Sequence, residues 1–502
     1  MQVTRRRFLS VSSQGIAAAA LSQFALRSQA AHTAASDPFL KLDGVGQAQA
    51  IKKGEATPGD LLEAAIKRIG RLNPKVNAVV TADFEGARSR ASQNEFGGPF
   101  AGVPFLVKDL DDFAGIRTTN GARAMLGYVP EETEDYIQAC ADAGFNVMGK
   151  SNTPEFGLCA TTESLALGPC YNPWDLTRSS GGSSGGAGAA VAAGLVPIAQ
   201  GSDGGGSIRI PASCCGVFGL KPSRGRMIGS SDEFSFSVKG ALTRSIRDSA
   251  YVLAHSERKQ PAPGLRPVGL VENASRRRLK IALNVRGGRG EQPAADVSDA
   301  VLSTAELCEE LGHEVSIARI ALDGDQLMRD FLTLWASGAG QAVEALEKQF
   351  GRPMTHQDLE PLTLAFAEQH QNGGKEHVPA ATSRLQAAAE SVAEQMQAYD
   401  VVLSPVLSTP PPIIGEQAPT VPYDILFERM TNYVAYTPVY NVTGMPAMSV
   451  PLYWTKQGLP IGSQFAAKLG DEKTLLELAY ELEEARPWAD KWAPWSAGRV
   501  TA

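Results

Sequence analysis

The chain has 502 residues, 43% of them hydrophobic, and a formal net charge of −7 at pH 7. So large an apolar fraction excludes a disordered or low-complexity protein, and the acidic balance disfavours nucleic acid and anionic membranes as partners. Six cysteines, at 140, 159, 170, 214, 215 and 308, are too scattered for a disulfide framework and lack zinc-ligand spacing.

Residues 4–10, TRRRFLS, set paired arginines before Phe-Leu. A mildly apolar run follows from Val11 to Leu26, and Ser28-Gln29-Ala30 has small residues at signal-peptidase spacing. The pattern resembles a twin-arginine export signal. Ser12, Ser13, Gln14, Ser22 and Gln23 make the run too polar for a membrane span. We expect residues 1–30 to be a cleaved signal and residues 31–502 to form a single domain. The mature protein is then periplasmic or secreted, without stable membrane insertion. Removing residues 1–30 takes four arginines and no acids, leaving a charge of −11. An uncleaved anchor, or a cytosolic protein with a chance basic start, is the alternative.

Thr57-Pro58 reads as a helix start, with Thr57 at the N-cap, Pro58 at the first helical position and Leu61, Leu62, Ala65, Ile66 and Ile69 on one face. Ala78 to Thr81 reads as a strand and Phe84 to Asn94 as a helix. Next comes FAGVPFLVKDL (100–110), where Lys108 ends an apolar run. A lysine forced into an apolar strand loses hydration, its pKa falls, and it can act as a base. On the strand by itself, a lysine that reaches solvent or pairs with Asp109 is the better reading. Asp109, Asp111 and Asp112 hint at a calcium loop, but Phe113 and Ala114 stand where a ligand and a glycine are needed. A solvated acidic turn fits better. Thr133 to Ala143 reads as a helix and Phe145 to Gly149 as a strand entering KSNTPEFG. Alternating strands and helices predict a mixed, mostly parallel α/β sheet covered by helices.

The stretch from Arg178 to Lys221 carries the chemistry. It holds two glycine-cradled serines, Ser183 in GGSSGG and Ser207 in GSDGGGSIRIP. The apolar run Leu195 to Ala199 reads as a buried strand leading into a tight turn. Ser207 ends that turn among the N–H groups of Gly204, Gly205 and Gly206, which could hold an oxyanion. A flexible linker would not be broken by Ile208, Arg209, Ile210 and Pro211. Asp203 and Arg209 are expected to pair and brace the turn. Ser184 either helps to hydrogen-bond the lysine or caps the following helix. No histidine lies in a motif; the six are at 32, 255, 313, 356, 370 and 377. Gly181 to Gly185 also satisfies G-x-S-x-G, but NPWDLTRSS before Ser183 is polar and loop-like, against a nucleophile elbow.

GGSSGG and GSDGGGSIRIP, with VPFLVKD upstream, resemble the amidase signature family, over roughly residues 40–490. The resemblance implies one α/β/α fold with a central cleft and a Ser–Ser–Lys group. By motif position, Ser207 is the nucleophile, Ser183 the relaying serine after a cis peptide bond, and Lys108 the base. Gly204, Gly205, Gly206 and Ser207 then supply the oxyanion N–H groups. No metal or organic cofactor is implied. The triple glycine and Cys214-Cys215 resemble the branch holding 6-aminohexanoate-cyclic-dimer hydrolases and aryl acylamidases. The expected partner is a small linear, cyclic or aryl amide, with esters or carbamates also in reach; a homodimer is the assembly considered. The alternatives are an exported binding protein without turnover, or a Ser-His-Asp esterase using Ser183.

Cys214-Cys215 reads as small buried packing. Residues 256–280, rich in Pro, Arg and Lys, read as a surface excursion. Leu279 to Val285 and Glu314 to Ala318 read as strands around a helix, Val297 to Leu311. Residues 320–395 read as helical with a break at Gly373-Gly374, inside a substrate-shaping region of about 320–435. Tyr399 to Pro405 reads as a buried strand. Phe427, Tyr433, Tyr436 and Tyr440 either wall a pocket or pack under the core. Glu472 to Ala485 closes the pattern as a helix.

Overall fold

Among the described residues, eleven strands pair into one sheet. The computed structural model describes residues 37–230 and 234–499, so the export-signal reading of residues 1–30 lies outside them. In chain order the strands are β1 Val79–Ala82, β2 Pro104–Lys108, β3 Asn146–Ser151, β4 Ile198–Asp203, β5 Phe218–Lys221 and β6 Val238–Thr243. They continue with β7 Lys280–Leu283, β8 Glu314–Ile317, β9 Val401–Pro405, β10 Ala447–Trp454 and β11 Pro460–Ala467. The spatial order is β1-β3-β2-β4-β6-β5-β10-β11-β9-β7-β8. The sheet is mixed. β3-β2-β4 and β9-β7-β8 are parallel blocks, and the strands between them pair antiparallel.

Helices cover both faces, and the strand period of two assigns the side chains. Helices α1 Pro58–Val76, α2 Gly185–Ala192 and α3 Arg209–Cys215 pack in one core with Leu106 and Ala199. Helices α4 Ile246–Ser256, α5 Ala295–Glu310 and α10 Glu472–Ala485 pack in the other with Phe105, Val107 and Ile198. Between α5 and α10 in the chain come α6 Gly324–Phe350, α7 Pro361–Gln369, α8 Lys375–Gln395 and α9 Tyr423–Tyr433.

Local chemistry explains where several elements begin. Thr57 caps α1 reciprocally: its Oγ1 accepts from Asp60 N at 3.1 Å while the Asp60 carboxylate accepts from Thr57 N at 2.9 Å. The Ala/Gly-rich segment after Ser184 is helical because its small residues let α2 lie tightly against α3. A Cβ at Gly188 would sit 3.1 Å from Pro211 Cβ. The break after α7 falls at His370–Gly374, where Gly373 has φ +93°. The strand expected at Leu195 to Ala199 starts three residues later and runs to Asp203, so Ser202 and Asp203 belong to β4 rather than to the turn.

Candidate active site

Lys108 is the last residue of β2, on the side of Leu106, facing α2. It is fully buried, and its Nζ donates to Ser183 Oγ at 2.7 Å and Ser202 Oγ at 3.1 Å. Its partners are hydroxyls, and no carboxylate is hydrogen-bonded to it. Burial strips its hydration, the nearby charge of Lys239 adds to the effect, and the Asp203 carboxylate only partly opposes it. Its pKa is held well below the usual lysine range, so the neutral amine is favoured. The Gly182–Ser183 peptide is cis.

Ser207 follows β4 by one turn, and α3 starts two residues later with Pro211 in its first turn, where no intrahelical donor is needed. Asp203 and Arg209 form a fully buried pair, with Arg209 Nε and Nη2 each 2.9 Å from a carboxylate oxygen. Asn441 Nδ2 adds a hydrogen bond to Asp203 Oδ1 at 2.9 Å, and Arg209 Nη1 donates to Gln464 Oε1 at 2.7 Å. Burial pushes the Asp203 carboxyl up, but the charge and hydrogen bonds of Arg209 outweigh that and leave it below the usual range.

The same carboxylate organises the turn. Gly206 N–H, expected among the oxyanion donors, donates to Asp203 Oδ1 at 2.8 Å, because φ +132° at Gly206 rotates it inward. The N–H groups of Gly204, Gly205 and Ser207 have no protein acceptor among the described residues. Thr437 Oγ1 donates to Gly205 O at 2.6 Å and holds the turn from outside. Ser184 neither caps α2 nor bonds the lysine. Its Oγ donates to Ser202 O at 3.2 Å, and its N–H donates to Ser207 O at 3.2 Å, which ties the two serine motifs together.

Ser207 opens into an apolar pocket walled by Leu158, Cys159, Phe331, Leu332, Trp335 and Met430. The aromatic rings come from α6. A Cβ at Gly204 would meet Trp335 at 3.1 Å and one at Gly205 would meet Phe331 at 3.2 Å, so both glycines are needed for close approach. Tyr433, Tyr436 and Tyr440 are buried and lie outside this pocket; Tyr433 Oη is 3.3 Å from Cys214 Sγ. All six cysteines are buried and free.

The acidic turn after Lys108 is not solvated. Asp109 and Asp111 are fully buried: Asp109 accepts from Thr119, and Asp111 pairs with Lys239 and accepts from Gln200 Nε2 at 2.7 Å. Burial pushes the Asp109 carboxyl up to about 6. Among the described residues, no group of His, Cys, Asp and Glu could hold a metal ion.

An Amidase family model matches residues 60–476, most of the chain. The chain belongs to the amidase family. It is a hydrolase of amide C–N bonds with the family's mixed, helix-covered sheet. A Mycobacterium leprae protein named "Putative amidase AmiC" is 40% identical over 465 residues, 92% of this chain and 98% of its own. The 6-aminohexanoate-cyclic-dimer hydrolase of Pseudomonas sp. (strain NK87) is 36% identical over 472 residues, 89% of this chain and 95% of its own. The solved structure of 6-aminohexanoate cyclic dimer hydrolase complexed with substrate superposes with TM-score 0.83 at 32% identity, covering 91% of this amidase and 99% of that chain.

Sequence reasoning missed Thr437, Asn441 and Gln464, which reach this amidase's Ser207 turn and the Asp203–Arg209 pair that braces it from more than 200 residues away. It also missed Phe331 and Trp335, whose helical spacing reads as ordinary core packing. Arg209→Met is expected to destabilise the fold by about 3–5 kcal/mol, because it leaves the Asp203 carboxylate buried without its partner. Denaturant unfolding of the variant measures this, and a loss under about 1 kcal/mol would show the pair to be dispensable.

Proposed function

We propose that Ser207 is the nucleophile of an amidase that works through an acyl-enzyme, with Ser183 as proton relay and Lys108 as base. The observation that carries this reading is the 2.7 Å contact between a fully buried lysine and Ser183, in a motif bonded to the backbone of Ser207. Neutral Lys108 accepts the Ser183 proton as Ser183 accepts that of Ser207, and Ser207 Oγ attacks the amide carbonyl. The developing oxyanion is held by the free N–H groups of Gly204, Gly205 and Ser207, while Gly206 stays bound to Asp203. The relay returns a proton to the leaving amine, and water releases the acid.

The lining of the pocket favours an apolar acyl or aryl group, and small linear, cyclic and aryl amides satisfy that demand. Esters and carbamates share the same acyl chemistry. The arginine pair and small-residue site of residues 4–30 support twin-arginine export to the periplasm; retention of the protein in the cytoplasm of a producing cell would overturn that part.

Intact-mass analysis after a fluorophosphonate probe tests the mechanism. A single adduct mapped to Ser207, absent from Ser207→Ala, is the expected result. An adduct on Ser183 would overturn the assignment of roles.

A further inference from the structure

A second cavity shares Met328 and Pro438 with the Ser207 pocket. The chain after β7, residues 284–291, forms one wall, and residues 319–328, which include the start of α6, form another. Its charge is unlike that of the protein. The formal charge of the chain is −7, yet this cavity is lined by Arg286, Arg289 and Arg319 against a single carboxylate, Glu291.

Glu291 is already engaged, because Arg289 Nε donates to it at 2.6 Å. Arg289 Nη2 donates to Asn432 Oδ1 at 2.7 Å. With the Gln292 amide turned so that its oxygen accepts, Arg286 Nε and Nη2 lie 3.0 and 3.1 Å from it, a neutral partner. Arg319, at the solvent-exposed edge, has no acceptor among the described residues, and neither does the Asn284 side-chain amide. Arg286 and Arg319, both solvent-exposed, therefore line the cavity mouth without a carboxylate partner. A planar guanidinium matches a carboxylate in shape and can bond both of its oxygens. The cavity volume is about 50 Å³, enough for a carboxylate head. Met328, with three flexible bonds, lines both this cavity and the acyl pocket, and can shift without breaking a hydrogen bond.

We propose that this cavity binds a carboxylate carried by the amide substrate, whose apolar part lies in the Ser207 pocket. The assignment of the ligand as substrate rests on the amidase reading of Ser207. The ligand class is an amide with an anionic end beyond an apolar spacer, and the positive cavity ranks such amides above neutral ones of equal length.

Two measurements test it. Isothermal titration of the full protein with suberate and glutarate, against neutral hexane-1,6-diol, reads the site without turnover. Suberate or glutarate should bind, the diol should not, and Arg319→Ala should weaken binding about tenfold, as expected for one lost charge-assisted hydrogen bond in a partly open site. Kinetically, suberic acid mono-4-nitroanilide should exceed octanoic acid 4-nitroanilide in kcat/KM by about tenfold. Arg319→Ala should erase that preference. Diacids that bind no better than the diol would overturn the proposal, as would inorganic phosphate binding tighter than suberate. Diacid binding without a kinetic preference would overturn the substrate role. Arg319-dependent suberate binding with neither anilide turned over would support the carboxylate site and overturn the reading of Ser207 as nucleophile toward such amides instead.

Discussion

Ser207→Ala is expected to lower kcat toward simple anilides by about 10⁴–10⁶-fold, the cost that the proposed mechanism assigns to removing a nucleophile that works with a relay and an oxyanion site. The melting temperature should move by about 1 °C or less, since Ser207 Oγ makes no hydrogen bond to the protein among the described residues. Its backbone carbonyl, which accepts from Ser184 N–H, survives the substitution. Steady-state and single-turnover kinetics, paired with calorimetry, give both numbers. Activity within a hundredfold of the parent in a well-folded variant would remove Ser207 from the role of nucleophile.

The second large effect is at Lys108, and it has opposite signs for activity and stability. Lys108→Met should reduce kcat/KM by about 10³–10⁴-fold near neutral pH, the usual contribution of a positioned base. In the proposed mechanism activity requires the neutral amine, so kcat/KM of the parent should fall as the pH drops through the lowered lysine pKa. Methionine has no such titration, and the low-pH limb should vanish with the activity.

For stability, the unfolded lysine holds its proton up to about pH 10.4, whereas the buried one releases it well below that. In this window the unfolded state binds more protons, so the parent's stability rises with pH. Methionine removes the cost of burying the amine. The melting temperature of the variant should therefore exceed that of the parent by about 1–3 °C at pH 7, with the gap closing toward pH 10. A variant less stable than the parent at pH 7 would mean that the hydrogen bonds to Ser183 and Ser202 outweigh desolvation.

Two other lysines show why the site could not be read from one strand. Lys221 also ends its strand, Lys150 is the penultimate residue of another, and both are fully buried, with burial pushing the pKa of Lys150 down to about 8 and that of Lys221 to about 7. Lys150 is held by Thr118 Oγ1 at 2.6 Å, and Lys221 by Pro222 O at 2.8 Å. Only Lys108 of the three is bonded to a glycine-cradled serine. Hydropathy predicts burial for all three, and partner identity separates them.

The amino-acid sequence by itself determined the features written in short range. The Thr57-Pro58 start of α1, the break at Gly373, the strand leading into the glycine turn and the pairing of Asp203 with Arg209 are local, because backbone preference and neighbouring charges act over a few residues. The motif pair also pointed to the family, since two serines among glycines with an upstream strand lysine form a dense, local pattern. Tertiary structure decided what depends on distance in space. It turned Gly206 N–H onto Asp203, buried the acids that follow Lys108, and walled the pocket with Phe331 and Trp335 in place of the later tyrosines. It also set Thr437, Asn441 and Gln464 against the Ser207 turn and its bracing ion pair. Each of those contacts joins residues far apart in the chain, and no periodicity or propensity reports which distant side chain a fold will bring to a given carbonyl.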